Sequence, residues 1–142
     1  MAHFAKIDEN NIVVNILKVP DEEEYRGEEY LNAIGFEGRW IQTSYNTYAN
    51  EHMFGDAPLR ANYARIGGVY DEEYDVFYSK KPNDQVVLNT TTFLWEYPIP
   101  IPSYNEAIEI PRWNKETQQW DIFQLNDIFP PIQTSHNLPQ QV

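Results

Sequence analysis

Residues Arg112–Phe123 read RWNKETQQWDIF. Two tryptophans, Trp113 and Trp120, bracket six polar residues, and Ile122 and Phe123 follow. Two aromatic faces so placed could form a platform for a sugar or a base. They could equally be the facing legs of a β-hairpin, where a cross-strand aromatic pair contributes ~0.2–1 kcal/mol. The residue after Trp113 favours the hairpin. Asn114 can cap a turn by accepting hydrogen bonds from N–H groups two or three positions on.

The same arrangement recurs. An apolar residue, then Asp or Asn, then an apolar residue seven positions after the first occurs at Ile7-Asp8/Val14, Tyr70-Asp71/Phe77, Leu88-Asn89/Trp95 and Trp113-Asn114/Trp120. Four turn-centred matches predict a meander of hairpins. The gaps between them are uneven, so they do not make a solenoid repeat.

Around these hairpins the first strand is HFAKI, joined through DENN to IVVNILKV. In the second strand Ile12, Val14 and Ile16 share a face, while Val13, Leu17 and Val19 break the alternation. A strand apolar on both faces is expected to be central or covered on its second side. Asp21 after Pro20, with Glu24 three residues on, has the spacing of a capping box and of an acidic first turn. Gly27 weakens the middle of this helix, predicting a short turn followed by a second piece or one frayed helix. Its apolar side is Tyr30, Leu31 and Ile34, and Gly35 stands where it stops. Arg39–Thr43 (RWIQT) reads as a strand. Residues 46–59 lack a period and read as a long loop suited to contact. Pro98, Pro100 and Pro102 cannot donate to a ladder, so EYPIPIPSYN reads as an extended strap. The sequence thus predicts an all-β or β-dominated fold: a meander of hairpins with one short helix, a proline-rich strap and an extended C-terminal arm. The boundaries are a β-rich domain over residues 1–123 and the arm over 124–142.

Composition bounds the function. With 22 acidic and 10 basic residues the formal charge is −12, which repels phosphate backbones and anionic bilayers, so neither nucleic acid nor membrane is an expected partner. The most apolar runs are too short to span a bilayer, and MAHFAKIDEN lacks the apolar core of a secretory signal; a soluble protein used without export is expected. With Cys 0 there is no disulfide, thiolate zinc site or cysteine nucleophile. His3, His52 and His136 are scattered without metal-ligand spacing. None of the common nucleotide-binding, zinc-protease or serine-hydrolase motifs occurs, and Gly67-Gly68 suits a tight bend better than a phosphate cradle. Asp71, Glu72, Glu73 and Asp75 fail the EF-hand pattern, since Val76 and Pro82 stand where Gly and Glu are required; a hairpin turn accounts for them. No catalytic, cofactor-binding or metal-ligating residue is nominated. The tyrosines Tyr45, Tyr48, Tyr63, Tyr74, Tyr97 and Tyr104 are open to core packing, a protein interface or sugar stacking.

The runs WIQTSYN (Trp40–Asn46), LRANYARIGGVYDEEYDVFYSKKP (Leu59–Pro82) and LNTTTFLWEYPIPIP (Leu88–Pro102), with the opening MAHFAKI and the W-N-x-E-T-x-x-W hairpin, resemble small virion structural proteins of marine tailed phages that infect cyanobacteria and related ocean bacteria. The likeness covers about residues 1–123. KKPNDQVVLN (Lys80–Asn89) departs from it in being more charged and aliphatic, and the segment beyond Phe123 is an addition. The resemblance implies a place, the phage particle, rather than a chemistry. The expectation is a non-enzymatic virion protein, assembled in the host cytoplasm and present in several copies. It would decorate or cement the capsid and dock on major capsid or tail proteins through extended arms. Phe123, Leu125, Ile128, Phe129 and Ile132 are the expected apolar anchors, and Pro130–Val142 the segment held against the partner. The alternative is a tail, neck or fibre adhesin for a host glycan, with a glycan depolymerase third.

Overall fold

A computed structural model describes residues 1–129. Its turns follow the Asx signal closely. Asp71 Oδ1 accepts the N–H groups of Glu73 and Tyr74, Asn89 Oδ1 those of Thr91 and Thr92, and Asn114 Oδ1 those of Glu116 and Thr117. Each of these loops closes through a left-handed residue four positions after the Asx, namely Asp75, Phe93 and Gln118, with φ of 54°, 57° and 56°. The other side-chain atom of each Asx reaches across the hairpin to the residue seven on. Tyr78 Oη donates to Asp71 at 2.9 Å, Asn89 Nδ2 donates to Glu96 at 3.1 Å, and Asn114 Nδ2 donates to Asp121 at 3.0 Å. One side chain therefore fixes both the turn and the register.

The protein is β-dominated, with small antiparallel sheets. Strands β1 (Ala2–Ile7), β2 (Val13–Val19) and β3 (Arg39–Thr43) make a sheet of order β2-β1-β3. Between β2 and β3 a 3₁₀ segment, Asp21–Arg26, runs into helix α1, Gly27–Ala33. The change of helix type falls at Gly27, and Gly35 just beyond the end has φ 102°, both as the sequence suggested. Two-stranded hairpins follow: β4 (Thr47–Tyr48) with β5 (Glu51–His52), β6 (Val69–Asp71) with β7 (Val76–Tyr78), and β8 (Val87–Leu88) with β9 (Trp95–Glu96). Then come β10 (Glu109–Asn114), β11 (Gln119–Gln124) and a single helical turn, α2 (Leu125–Ile128). The chain divides into two compact units, residues 1–96 and residues from Tyr97 onward. The hairpin β10–β11 thus belongs with the proline strap. Leu125–Ile128 is helical where the extended arm was expected to begin, because Gln124 is the last residue paired with β10 and the chain then coils locally.

Three of the four spaced pairs face each other as expected: Tyr70↔Phe77, Leu88↔Trp95 and Trp113↔Trp120. The first hairpin differs. Ile7 faces Val13 rather than Val14, and the register shifts between Lys6 and Ile7. The cause is a shorter loop. Asp8 caps Asn10 and Ile12, but the left-handed residue, Asn11 with φ 62°, comes only three positions later, the geometry of a three-residue hairpin loop. The resulting bulge reverses the side-chain alternation. Val13 turns into the core at 1% exposure, while Val14 stays out at 44%.

The central strand is β1, not β2. Its Ala2 and Phe4 pack with Val19, Leu31 and Trp40 on the helix side. Its Ala5 and Ile7 pack with Val13, Ala64, Tyr70 and Phe77 on the other. The outer edge of β2 is covered by the Gly67-Gly68 bend: Val13 N–H donates to Gly68 C=O and Gly67 N–H to Val13 C=O. A Cβ on Gly68 would lie 3.0 Å from Arg65 C=O and 3.1 Å from Tyr78 C=O, so a side chain here would require both backbones to give way slightly, which glycine avoids.

Candidate functional site

In the first unit, the stretch read as a long loop is pinned from within. Asn62, 7% exposed, accepts from Ala49 N–H and donates through Nδ2 to the carbonyls of Phe77 and Phe93. Thr47 Oγ1 accepts from Leu59 N–H, and Thr43 Oγ1 from Ala64 N–H. Arg60 donates to Asp75 and to Gln42 C=O. Burial alone would raise the Asp75 carboxyl, but hydrogen bonds from Tyr70 and Arg60 outweigh it and hold the group below its ordinary range. These contacts bind residues 47–62 to the two following hairpins, and the tip is left exposed at Met53 and Phe54.

The tyrosines divide by environment. Tyr45 and Tyr63 form a cluster with His3, at centroid distances of 5.5–6.0 Å. Burial, then the Lys18 and N-terminal charges, lowers the His3 pKa. Tyr74 packs on Phe93. Burial first, and then the hydrogen bond to Asp71, pushes the Tyr78 hydroxyl up to about 12. Tyr48, Tyr63, Tyr78, Phe93 and Arg65 edge a cleft of about 280 Å³. Arg65 is exposed there and makes no ion pair among the described residues. No group of three or more potential metal ligands occurs among the described residues, and no described helix is long and apolar enough to cross a membrane.

In the second unit, Trp113 and Trp120 meet edge to face at 5.4 Å, and Tyr97 stacks on Trp113 at 4.9 Å. Trp120 Nε1 donates to Ile99 C=O at 2.7 Å. The pair thus clamps its own hairpin and holds the strap. Around it no residue from Tyr97 to Phe129 is fully buried. Of the expected anchors, Phe123 is 40% exposed and Phe129 67%, whereas Leu125 and Ile128 are half-buried. Ile132 and the segment Pro130–Val142 lie outside the described residues. Ile99, Ile101, Ile108 and Ile122 are also exposed. Ile122 opens the expected interface segment, Ile122–Ile132, whereas sequence reading missed Ile99, Ile101 and Ile108, because isoleucines scattered over a strap and a loop show no joint period.

Compared with known proteins, the chain matches no family model, no curated protein and no solved structure.

Proposed function

We propose that this protein is a non-enzymatic structural component of a tailed-phage virion, a capsid decoration or cement protein that docks through its second unit. The observation that carries this reading is the contrast between the two units. Residues 1–96 hold every buried apolar side chain among the described residues. The second unit is a two-stranded hairpin with a strap and no buried residue among those described, yet it exposes Ile99, Ile101, Ile108, Ile122, Phe123 and Phe129. A lone hairpin is marginal in water, and an apolar surface of this kind suits burial against a partner. The resemblance to marine phage virion proteins supplies the particle as that partner's setting. Deleting residues 124–142 is expected to leave a folded protein that no longer joins particles; normal incorporation would overturn the reading. Its copy number relative to the major shell protein separates shell from tail, with hundreds of copies expected for a shell component.

The cleft beside Arg65 favours a second reading, an adhesin for a host glycan. It places aromatic rings next to an exposed cation, as stacking recognition of an acidic sugar requires. A glycan array probed with the whole protein tests it, and an array without hits removes it.

A further inference from the structure

The two-stranded sheet β10–β11 has two outer edges, and they are not equivalent. Leu125 N–H donates to Ile108 C=O at 2.7 Å, which continues the ladder one step past the strands. In an antiparallel pair, opposed residues alternate between exchanging hydrogen bonds and turning both groups outward. Counting from Ile108/Leu125, the bonded pairs are Ile110↔Phe123, Arg112↔Asp121 and Asn114↔Gln119. The outward-turned pairs include Pro111↔Ile122 and Trp113↔Trp120. Pro111 therefore falls where its missing N–H costs the hairpin nothing but removes a donor from the middle of the outer edge of β10. Proline used in this way closes an edge to further strands. The edge of β11 has no such block. The N–H and C=O groups of Trp120 and Ile122 point away from β10, and none of the four is hydrogen-bonded among the described residues.

We propose that the edge of β11 pairs with β11 of a second copy of this chain. The pairing is antiparallel about Ile122 and makes a four-stranded sheet that ends at Pro111 on both sides. Charge supports a second copy as the occupant. Residues 109–124 carry Arg112 and Lys115 against Glu109, Glu116 and Asp121, a net −1 of the chain's −12, so little of the chain's charge repulsion falls here. Asp121 is the single charge on β11 and already accepts from Asn114. Centring on Ile122 sets Asp121 opposite Phe123 of the other copy, never opposite its own counterpart, which would be destabilising. The contact is isologous and its far edges are closed, so assembly stops at two. This dimer does not depend on where the protein resides.

The test is sedimentation of the full chain over a micromolar-to-millimolar series, with amide exchange read residue by residue. A dimer is expected, with the Trp120 and Ile122 amides protected. Ile122→Pro should halve the mass while keeping the Trp113–Trp120 signal in near-ultraviolet circular dichroism, since only an outward N–H is lost. Pro111→Val should open the second edge and give species larger than a dimer. A monomer throughout the series would overturn the proposal, as would exchange-labile Trp120 and Ile122 amides in the unmodified protein. So would an Ile122→Pro variant that still dimerises. A monomer that gains protection at these amides only when a strand from another protein is added would assign the edge to that protein instead.

Discussion

At the scale of single residues, Asn62 carries more than its size suggests. It joins the loop after β3 to the backbones of two separate hairpins; its two bonds to the hairpin carbonyls are buried and the one from Ala49 N–H is partly so. Asn62→Ala leaves two buried carbonyls, those of Phe77 and Phe93, without this partner, and each such group costs ~1–3 kcal/mol. Urea denaturation should show a loss of at least that size, while an exposed neighbour such as Arg65→Ala should change little. His3 sets a pH dependence. Its folded pKa lies below the ordinary 6.5, so the unfolded chain binds the proton more readily. Stability from this site is complete above 6.5 and declines as pH falls toward the folded value. His3→Phe, which keeps the aromatic contact with Tyr45 and Tyr63, should flatten the denaturation midpoint between pH 7 and pH 5, as ~6.5 is the reference value for histidine.

At the scale of elements, local propensity and tertiary packing oppose each other at Gly27. Glycine weakens a helix by ~1 kcal/mol relative to alanine, so alanine here would strengthen an isolated helix. In the protein, however, a Cβ at Gly27 runs into the ring of Phe4, and overpacking of a core costs ~1–3 kcal/mol. Gly27→Ala should therefore lower the melting temperature despite its better propensity, and a companion Phe4→Leu should recover part of the loss. The hairpins were legible for a different reason. Their turn residue, loop length and facing pair lie within eight consecutive positions, as in Tyr70–Phe77. The first hairpin escaped because one residue fewer before the left-handed Asn11 changes the loop type. Hydrophobic spacing alone does not register that change.

At the scale of the whole molecule, stability is unevenly placed. All buried apolar side chains among the described residues belong to residues 1–96, so a fragment ending at Glu96 should unfold cooperatively with a urea midpoint close to that of the full chain. A collapse of that midpoint would mean that the second unit contributes core packing. The sequence by itself determined the β-dominated character, the helix with its break at Gly27 and its stop at Gly35, and three of the four hairpin registers. Each of these is decided by residues close together in the chain, where Asx caps, glycine and proline act over a few bonds. Only the tertiary structure decided that β1 rather than β2 is central, that Asn62 fastens the loop to two hairpins, and that the outward backbone groups of Trp120 and Ile122 on β11 find no partner among the described residues. Those outcomes depend on which distant backbone groups find partners and which are left facing water, and no local spacing encodes that.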